Sequence, residues 1–90
     1  MMGESAEVRL KRLRMRSMRR GIKEMDIILM RFSDTRLGEL DDAALVLYDE
    51  LLSENDHDIY QWVSGQIPAP ERYGALVGEI ASNGKFNGIV

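Results

Sequence analysis

The sequence contains no cysteine, which excludes disulfide bonds, thiolate metal sites and thiol catalysis. It has only two prolines and no serine- or glycine-rich tract, so no segment is typical of a linker between two domains. The longest run of apolar residues, 43–48, is far too short to cross a bilayer. A single core must therefore form, without covalent support, from the apolar residues that make up 44% of the chain.

Catalytic signatures are also missing from the sequence. There is no phosphate-binding loop, no glycine-rich dinucleotide turn and no zinc motif with paired histidines. His57 is the only histidine, and on a helix its neighbours Asp56 and Asp58 would point in different directions, which favours a surface histidine over a metal ligand. We therefore predict no catalytic residue, no metal site and no enzyme activity of its own.

Charge is distributed unevenly along the chain. Residues 1–23 hold eight of the twelve basic residues and two of the fifteen acidic ones, so their net charge is +6, while the remainder carries −9. A basic arm on an acidic body points to nucleic acid, an anionic membrane or an acidic protein surface as the partner, with a solvated helix face as the alternative. The arm lacks the continuous apolar stretch of a secretory signal, and its apolar residues look like part of a packed helix, so we expect no cleavable targeting segment.

The spacing of apolar residues predicts an all-α fold, a compact bundle of five short helices that forms one domain over residues 1–90. The first helix is expected at about 5–20, with a basic outer face and Gly21 as the residue that ends it. The body should occupy residues 22–83, and residues 84–90 are expected to form a loose tail.

The later helices have recognisable boundaries. The second, at about 22–34, is apolar nearly all round, with Ile27 and Met30 extending its apolar face, and should lie in the centre. The third should follow Asp41 as its N-cap and run from about 42 to 54. The fourth should begin at Asp56 and end at Gly65. The fifth should carry Pro70 in its first turn and stop at residues 83–84.

The junction between the first two helices, residues 19–24, is the feature that we call the corner. Gly21 has poor helix propensity and leaves bare backbone that a partner could approach. Arg20 offers a planar fork of donors that suits carboxylates and phosphates. Glu24 lies one turn into the second helix, at its exposed end. The corner is therefore the predicted binding site.

Arg20-Gly21-Ile22-Lys23-Glu24 resembles the Arg-Gly-x-x-Glu signature of the succinate dehydrogenase FAD assembly factors, the small flavinator proteins. Further matches follow in order at family-like distances, so that the resemblance covers roughly residues 12–80. They are Leu47-Tyr48-Asp49-Glu50-Leu51-Leu52, Asp56-x-Asp58-Ile59-Tyr60-x-Trp62 and Pro68-Ala69-Pro70-Glu71. The fold of this family is similar to the five-helix bundle predicted above.

The resemblance implies an assembly factor that binds the flavoprotein subunit of succinate dehydrogenase, or of fumarate reductase, and promotes covalent attachment of FAD. The FAD would belong to the partner, so no cofactor is expected on this chain. We expect a bacterial cytoplasmic protein, and keep as an alternative a nucleic-acid-binding regulator that uses the basic first helix. The residues that the resemblance assigns to partner binding are Arg20, Gly21 and Glu24 from the motif, with Lys23 and Asp26 beside it and Asp58 and Trp62 further along.

Overall fold

The computed structural model describes residues 4–83, and this part of the chain contains five α-helices and no strand. The predicted all-α bundle is therefore confirmed, whereas the predicted tail at 84–90 lies outside the described residues. Two 3-10 turns, Leu37–Glu39 and Glu71–Tyr73, precede the third and fifth helices. The helices are α1 (Ala6–Arg16), α2 (Lys23–Arg36), α3 (Asp42–Leu51), α4 (Asp56–Val63) and α5 (Gly74–Asn83).

Three helices begin at a side chain that caps them. The hydroxyl of Ser5 accepts a hydrogen bond from the Val8 amide at 3.1 Å. The Asp41 carboxylate accepts one from the Ala44 amide at 2.8 Å, which confirms the predicted cap of α3. Asn55 caps α4 in the same way. These bonds satisfy backbone donors that every helix leaves free in its first turn.

Helix α2 lies in the centre of the bundle, where it contacts α1, α4 and α5. Its buried face carries Met25, Leu29 and Phe32, none of which is exposed to solvent. Ile27 and Met30, in contrast, are 51% and 38% exposed. The prediction that α2 is apolar and covered nearly all round is wrong for these two, because the neighbouring helices pack against only one side of it.

The first helix is shorter than predicted, since it ends at Arg16 and not near Arg20. Ser17 follows it and is fully buried, and its hydroxyl donates to the Leu13 carbonyl at 2.8 Å. The Tyr48 hydroxyl lies 2.6 Å from the same Ser17 oxygen and donates to it, because the serine proton is already engaged. Burial raises the pKa of Tyr48 to about 12, so this link stays protonated. It holds the end of α1 against α3.

The other helix boundaries differ from prediction by a turn or less. Helix α3 ends at Leu51, because Ser53 and Glu54 donate to carbonyls three residues back and tighten the chain. Gly65, with φ of 84°, follows α4 as predicted. Pro70, however, precedes the 3-10 turn rather than lying in the first turn of α5, which begins at Gly74. In residues 4–83 no helix is both long and apolar enough to span a membrane.

The basic face of α1 packs against the acidic face of α3. Arg12 donates to both oxygens of Asp49 at 3.1 Å, and Arg16 pairs with the same carboxylate. These arginines, led by Arg12, hold the pKa of Asp49 below its usual value. Arg9 pairs with Asp42 further along, at a site where the aspartate is 90% exposed. Most of the arginines of the arm are thus paired with carboxylates of the same chain.

We expect Asp49→Asn to lower the free energy of unfolding by ~1 kcal/mol, because two half-buried guanidinium groups lose the charge they share. The matched control is Asp42→Asn, which removes an isolated pair at an exposed carboxylate and should cost close to nothing. Urea unfolding followed by circular dichroism measures both. Equal losses would show that the shared carboxylate is no more important than a lone surface pair.

The contribution of Asp49 should also depend on pH. Its pKa is lowered in the folded protein, so its stabilisation is present above the unfolded pKa, about 3.8, and is lost as the pH falls through the lower folded value. The difference in unfolding free energy between wild type and Asp49→Asn should therefore be constant from about pH 7 to about pH 5 and shrink below about pH 4. A difference that persists unchanged in acid would contradict this assignment.

Candidate functional site

The corner is part of the non-helical link between α1 and α2, residues 17–22. The residue with a left-handed backbone here is Arg19, with φ of 56°, and Gly21 does not have a positive φ. The prediction that Gly21 is the residue that ends α1 is therefore wrong. The chain has already left the helix at Ser17, and the reversal is complete before Gly21 is reached.

Arg20 lies between the ends of three helices. Its Nη1 donates to the Arg16 carbonyl at the end of α1, and its Nη2 donates to the Leu52 carbonyl just past α3, both at 2.9 Å. Its Nε donates to Asp56 Oδ1 at 2.8 Å in the first turn of α4. The side chain is only 12% exposed, and that of Asp56 18%. The predicted partner-binding arginine thus has a set of internal bonds.

The backbone at Arg20 and Gly21 is held by two carboxylates. The Gly21 amide donates to Asp56 Oδ2 at 2.6 Å, and the Arg20 amide donates to Asp26 Oδ1. A Cβ atom at position 21 would lie 3.0 Å from Asp56 Oδ2, closer than such atoms normally come. Glycine is therefore favoured here by the close approach of Asp56 rather than by an unusual φ.

Lys23 and Glu24 lie in the first turn of α2 and are both exposed, as predicted for Glu24. Neither forms an ion pair with any residue from 4 to 83, so both are available to a partner. Glu24 is also favourably placed near the positive end of the helix dipole. These two side chains, with the exposed backbone of Gly21, form the outward part of the predicted site.

The remaining predicted residues occupy other positions. Asp26 is half-buried because it holds the Arg20 amide. Asp58 and Trp62 share one face of α4, since they are four residues apart, but Asp56, which meets the corner, points elsewhere. Asp58 is exposed, whereas Trp62 is half-buried with its ring centroid 5.8 Å from that of Tyr73. The structure brings together Arg20, Gly21 and Asp26, while no hydrogen bond in the described range joins Asp58 or Trp62 to them.

Asp56 is the residue of this site that sequence reasoning missed. It was identified only as the first residue of the fourth helix and a neighbour of His57, and it lies 35 residues from Gly21. No periodicity or local motif relates two positions so far apart, so only its place in the family-like run 56–62 marked it. In the described part of the chain no group of three acidic or histidine residues could hold a metal ion.

The alternative of a nucleic-acid-binding face on α1 gains no support from the geometry. Its arginines are directed to carboxylates of the chain: Arg9 to Asp42, Arg12 and Arg16 to Asp49, and Arg14 to Asp34 at 3.8 Å. Lys11, Arg19 and Lys23 are the exposed cations of this arm without an ion pair to residues 4–83. Three scattered charges are a small electrostatic surface for a duplex.

Comparison with known proteins agrees with the motif. A family model described as the flavinator of succinate dehydrogenase matches residues 11–83. The chain is also similar to the protein named succinate dehydrogenase assembly factor 2, mitochondrial, of Meyerozyma guilliermondii, with 42% identity that covers 79% of this chain and 55% of the relative. The proteins of that name from Schizosaccharomyces pombe and Danio rerio are 39% and 38% identical, and the match covers 78% and 79% of this chain and 50% and 46% of theirs.

The chain thus spans about half the length of the curated relatives it matches. These relatives are named mitochondrial and come from eukaryotes, so the prediction of a bacterial cytoplasmic protein is wrong. That prediction depended on the lack of a recognisable targeting signal, a feature that does not distinguish one compartment from another.

We expect Gly21→Ala to lower the free energy of unfolding by ~1 kcal/mol, because the new methyl group meets a carboxylate that Arg20 holds in place. The control is Gly78→Ala in the interior of α5, where nothing lies within 4 Å of the new Cβ and better helix propensity should stabilise the protein by up to ~1 kcal/mol. Thermal and urea unfolding of both variants measures the difference. Stabilisation by Gly21→Ala would show that the close approach of Asp56 is no constraint.

Proposed function

The chain belongs to the family of succinate dehydrogenase flavinators, and on that basis we propose that it is an assembly factor for the flavoprotein subunit of succinate dehydrogenase. It binds this subunit and promotes the covalent attachment of FAD to it. The observation that carries the proposal is the family match over residues 11–83, which includes the corner and the four helices that follow it. The relatives named as assembly factors support the same role.

The proposed contact surface is the outward side of the corner and the first turns of α2. Gly21, Lys23 and Glu24 are exposed there. One and two turns further along the same helix, the apolar side chains of Ile27 and Met30 are exposed as well. Protein interfaces commonly combine an apolar centre with a charged rim. This surface offers both within a short length of one helix that is itself fixed in the core.

The proposed mechanism is organisational. The assembly factor binds one arrangement of the flavoprotein better than others, and in that arrangement the acceptor histidine is aligned with the 8α-methyl group of the flavin. The FAD stays with the partner, whose own chemistry forms the bond. Glu24 pairs with polar groups of the partner and orients the complex, because it is exposed and forms no ion pair with residues 4–83.

We predict that Glu24→Ala weakens binding of the flavoprotein by ~2 kcal/mol or more, about thirtyfold, because a charged partner in the interface is left unpaired. Covalent flavin fluorescence of the co-expressed flavoprotein in a denaturing gel should fall accordingly. Glu7→Ala is the matched control, since Glu7 is an exposed glutamate in the first turn of α1 and lies outside the family match.

A second variant, Gly21→Arg, places a long side chain at the centre of the surface and should lower the fluorescence at least as much. Equal fluorescence for wild type, Glu24→Ala and Gly21→Arg would remove the corner from the mechanism. No gain in fluorescence from the wild-type protein, compared with flavoprotein expressed alone, would overturn the proposed function. Repeating the assay with the flavoprotein of fumarate reductase tests whether that subunit is a second partner.

A further inference from the structure

We propose that the Arg20 side chain, the Gly21 amide and Asp56 form a positioning unit, which sets how Lys23 and Glu24 are presented, and that the side chains of Arg20 and Asp56 do not contact the partner. This inference rests on the proposed function and divides the motif into two parts. The Arg20 side chain and the Gly21 amide act within the chain, together with Asp56 from α4, while the exposed side of Gly21 and the Glu24 side chain meet the flavoprotein. Asp56 thereby becomes part of the functional site, although it lies outside the motif.

The Arg20 guanidinium is mostly buried and bonded within this chain. Each of its three nitrogens donates to an acceptor of this chain, which uses three of its five N–H groups, and its side chain is 12% exposed. A partner carboxylate that drew the guanidinium towards itself would displace it from Asp56. That exchange would leave a half-buried carboxylate and two helix-terminal carbonyls without their donor, which is costly.

Asp56 joins the Arg20 side chain to the Gly21 backbone. One of its oxygens accepts from Arg20 Nε and the other from the Gly21 amide, at 2.8 and 2.6 Å. A single carboxylate at the start of α4 therefore fixes a side chain and the next backbone amide at once. Asp56 also lies at the N-terminus of α4, near the positive end of the helix dipole.

The carboxylates of Asp26 and Asp56 connect this unit to the exposed surface. Asp26, in the first turn of α2, accepts from the Arg20 amide, so consecutive amides are held by α2 on one side and by α4 on the other. Helix α2 begins only two residues after Gly21 and has no side-chain cap of its own. The direction in which its first turn presents Lys23 and Glu24 therefore depends on the bonds made by Asp56.

The test is a double-mutant cycle with two conservative changes. Asp56→Asn keeps the shape of the side chain but turns an NH₂ group towards one of two donors. Arg20→Lys keeps the charge but cannot reach three acceptors with one ammonium group. Affinity for the purified flavoprotein subunit is measured for wild type, both single variants and the double variant, at a temperature at which circular dichroism shows all four folded.

We expect each single variant to bind about tenfold more weakly and the double variant to fall within about twofold of the weaker single one, because each change disrupts the same unit. If Arg20 contacts the partner directly, Asp56→Asn releases the guanidinium for that contact. The Asp56→Asn variant would then bind as tightly as wild type or more tightly, and the loss of affinity caused by Arg20→Lys would be just as large in the double variant. That result overturns the inference and leaves the proposed function standing, whereas no binding by the wild type overturns both.

A measurement on the wild-type protein decides the question even if a variant does not fold. The ¹⁵N resonances of the Arg20 Nε–H group and of the Glu24 amide are followed while the flavoprotein subunit is added. The positioning role requires that the Arg20 signal keep its free-protein position, since the group stays on Asp56, while the Glu24 signal shifts. A shift of the Arg20 signal comparable to that of Glu24 would overturn the inference.

Discussion

The hydrogen bonds of the Arg20 guanidinium are the interaction on which the arrangement of this molecule depends. They join the carbonyl that ends α1, the carbonyl that follows α3 and the carboxylate that opens α4. Helix ends leave carbonyls without partners and carry partial negative charge, so a cation that serves two of them is well placed. Because α2 starts three residues later, the same bonds hold the chain at the point where this helix begins.

Electrostatic pairing within the chain also defines what is left for a partner. In the sequence, the basic arm and the acidic body look like two surfaces for two kinds of ligand. In the folded chain they largely face each other, with Asp49 shared between Arg12 and Arg16. The unpaired charges of the corner in residues 4–83 are those of Arg19, Lys23 and Glu24, and the last two lie next to exposed apolar side chains of α2. This combination suits a protein surface better than a nucleic acid.

Sequence reasoning was sufficient where the cause of a feature lies within one or two turns of chain. The five helices, the cap at Asp41 and the exposure of Glu24 all follow from local spacing, and the structure confirms them. It was wrong where another element intervenes. Helix α1 ends early, at the point where Ser17 meets Tyr48 of α3, and Ile27 is exposed because no helix packs on that side. The family, too, could be recognised from a five-residue motif and the runs that follow it.

The order of residues alone therefore determined the all-α class, most helix boundaries and the place of the corner, since periodicity and capping are properties of near neighbours. Tertiary packing determined which residues of the corner bond within the chain and which are exposed. It placed Asp56, 35 residues away, against Gly21, and it directed Arg20 inward to three helix ends. Contacts between such distant positions arise only when the helices close on one another, and they leave no periodic trace along the chain.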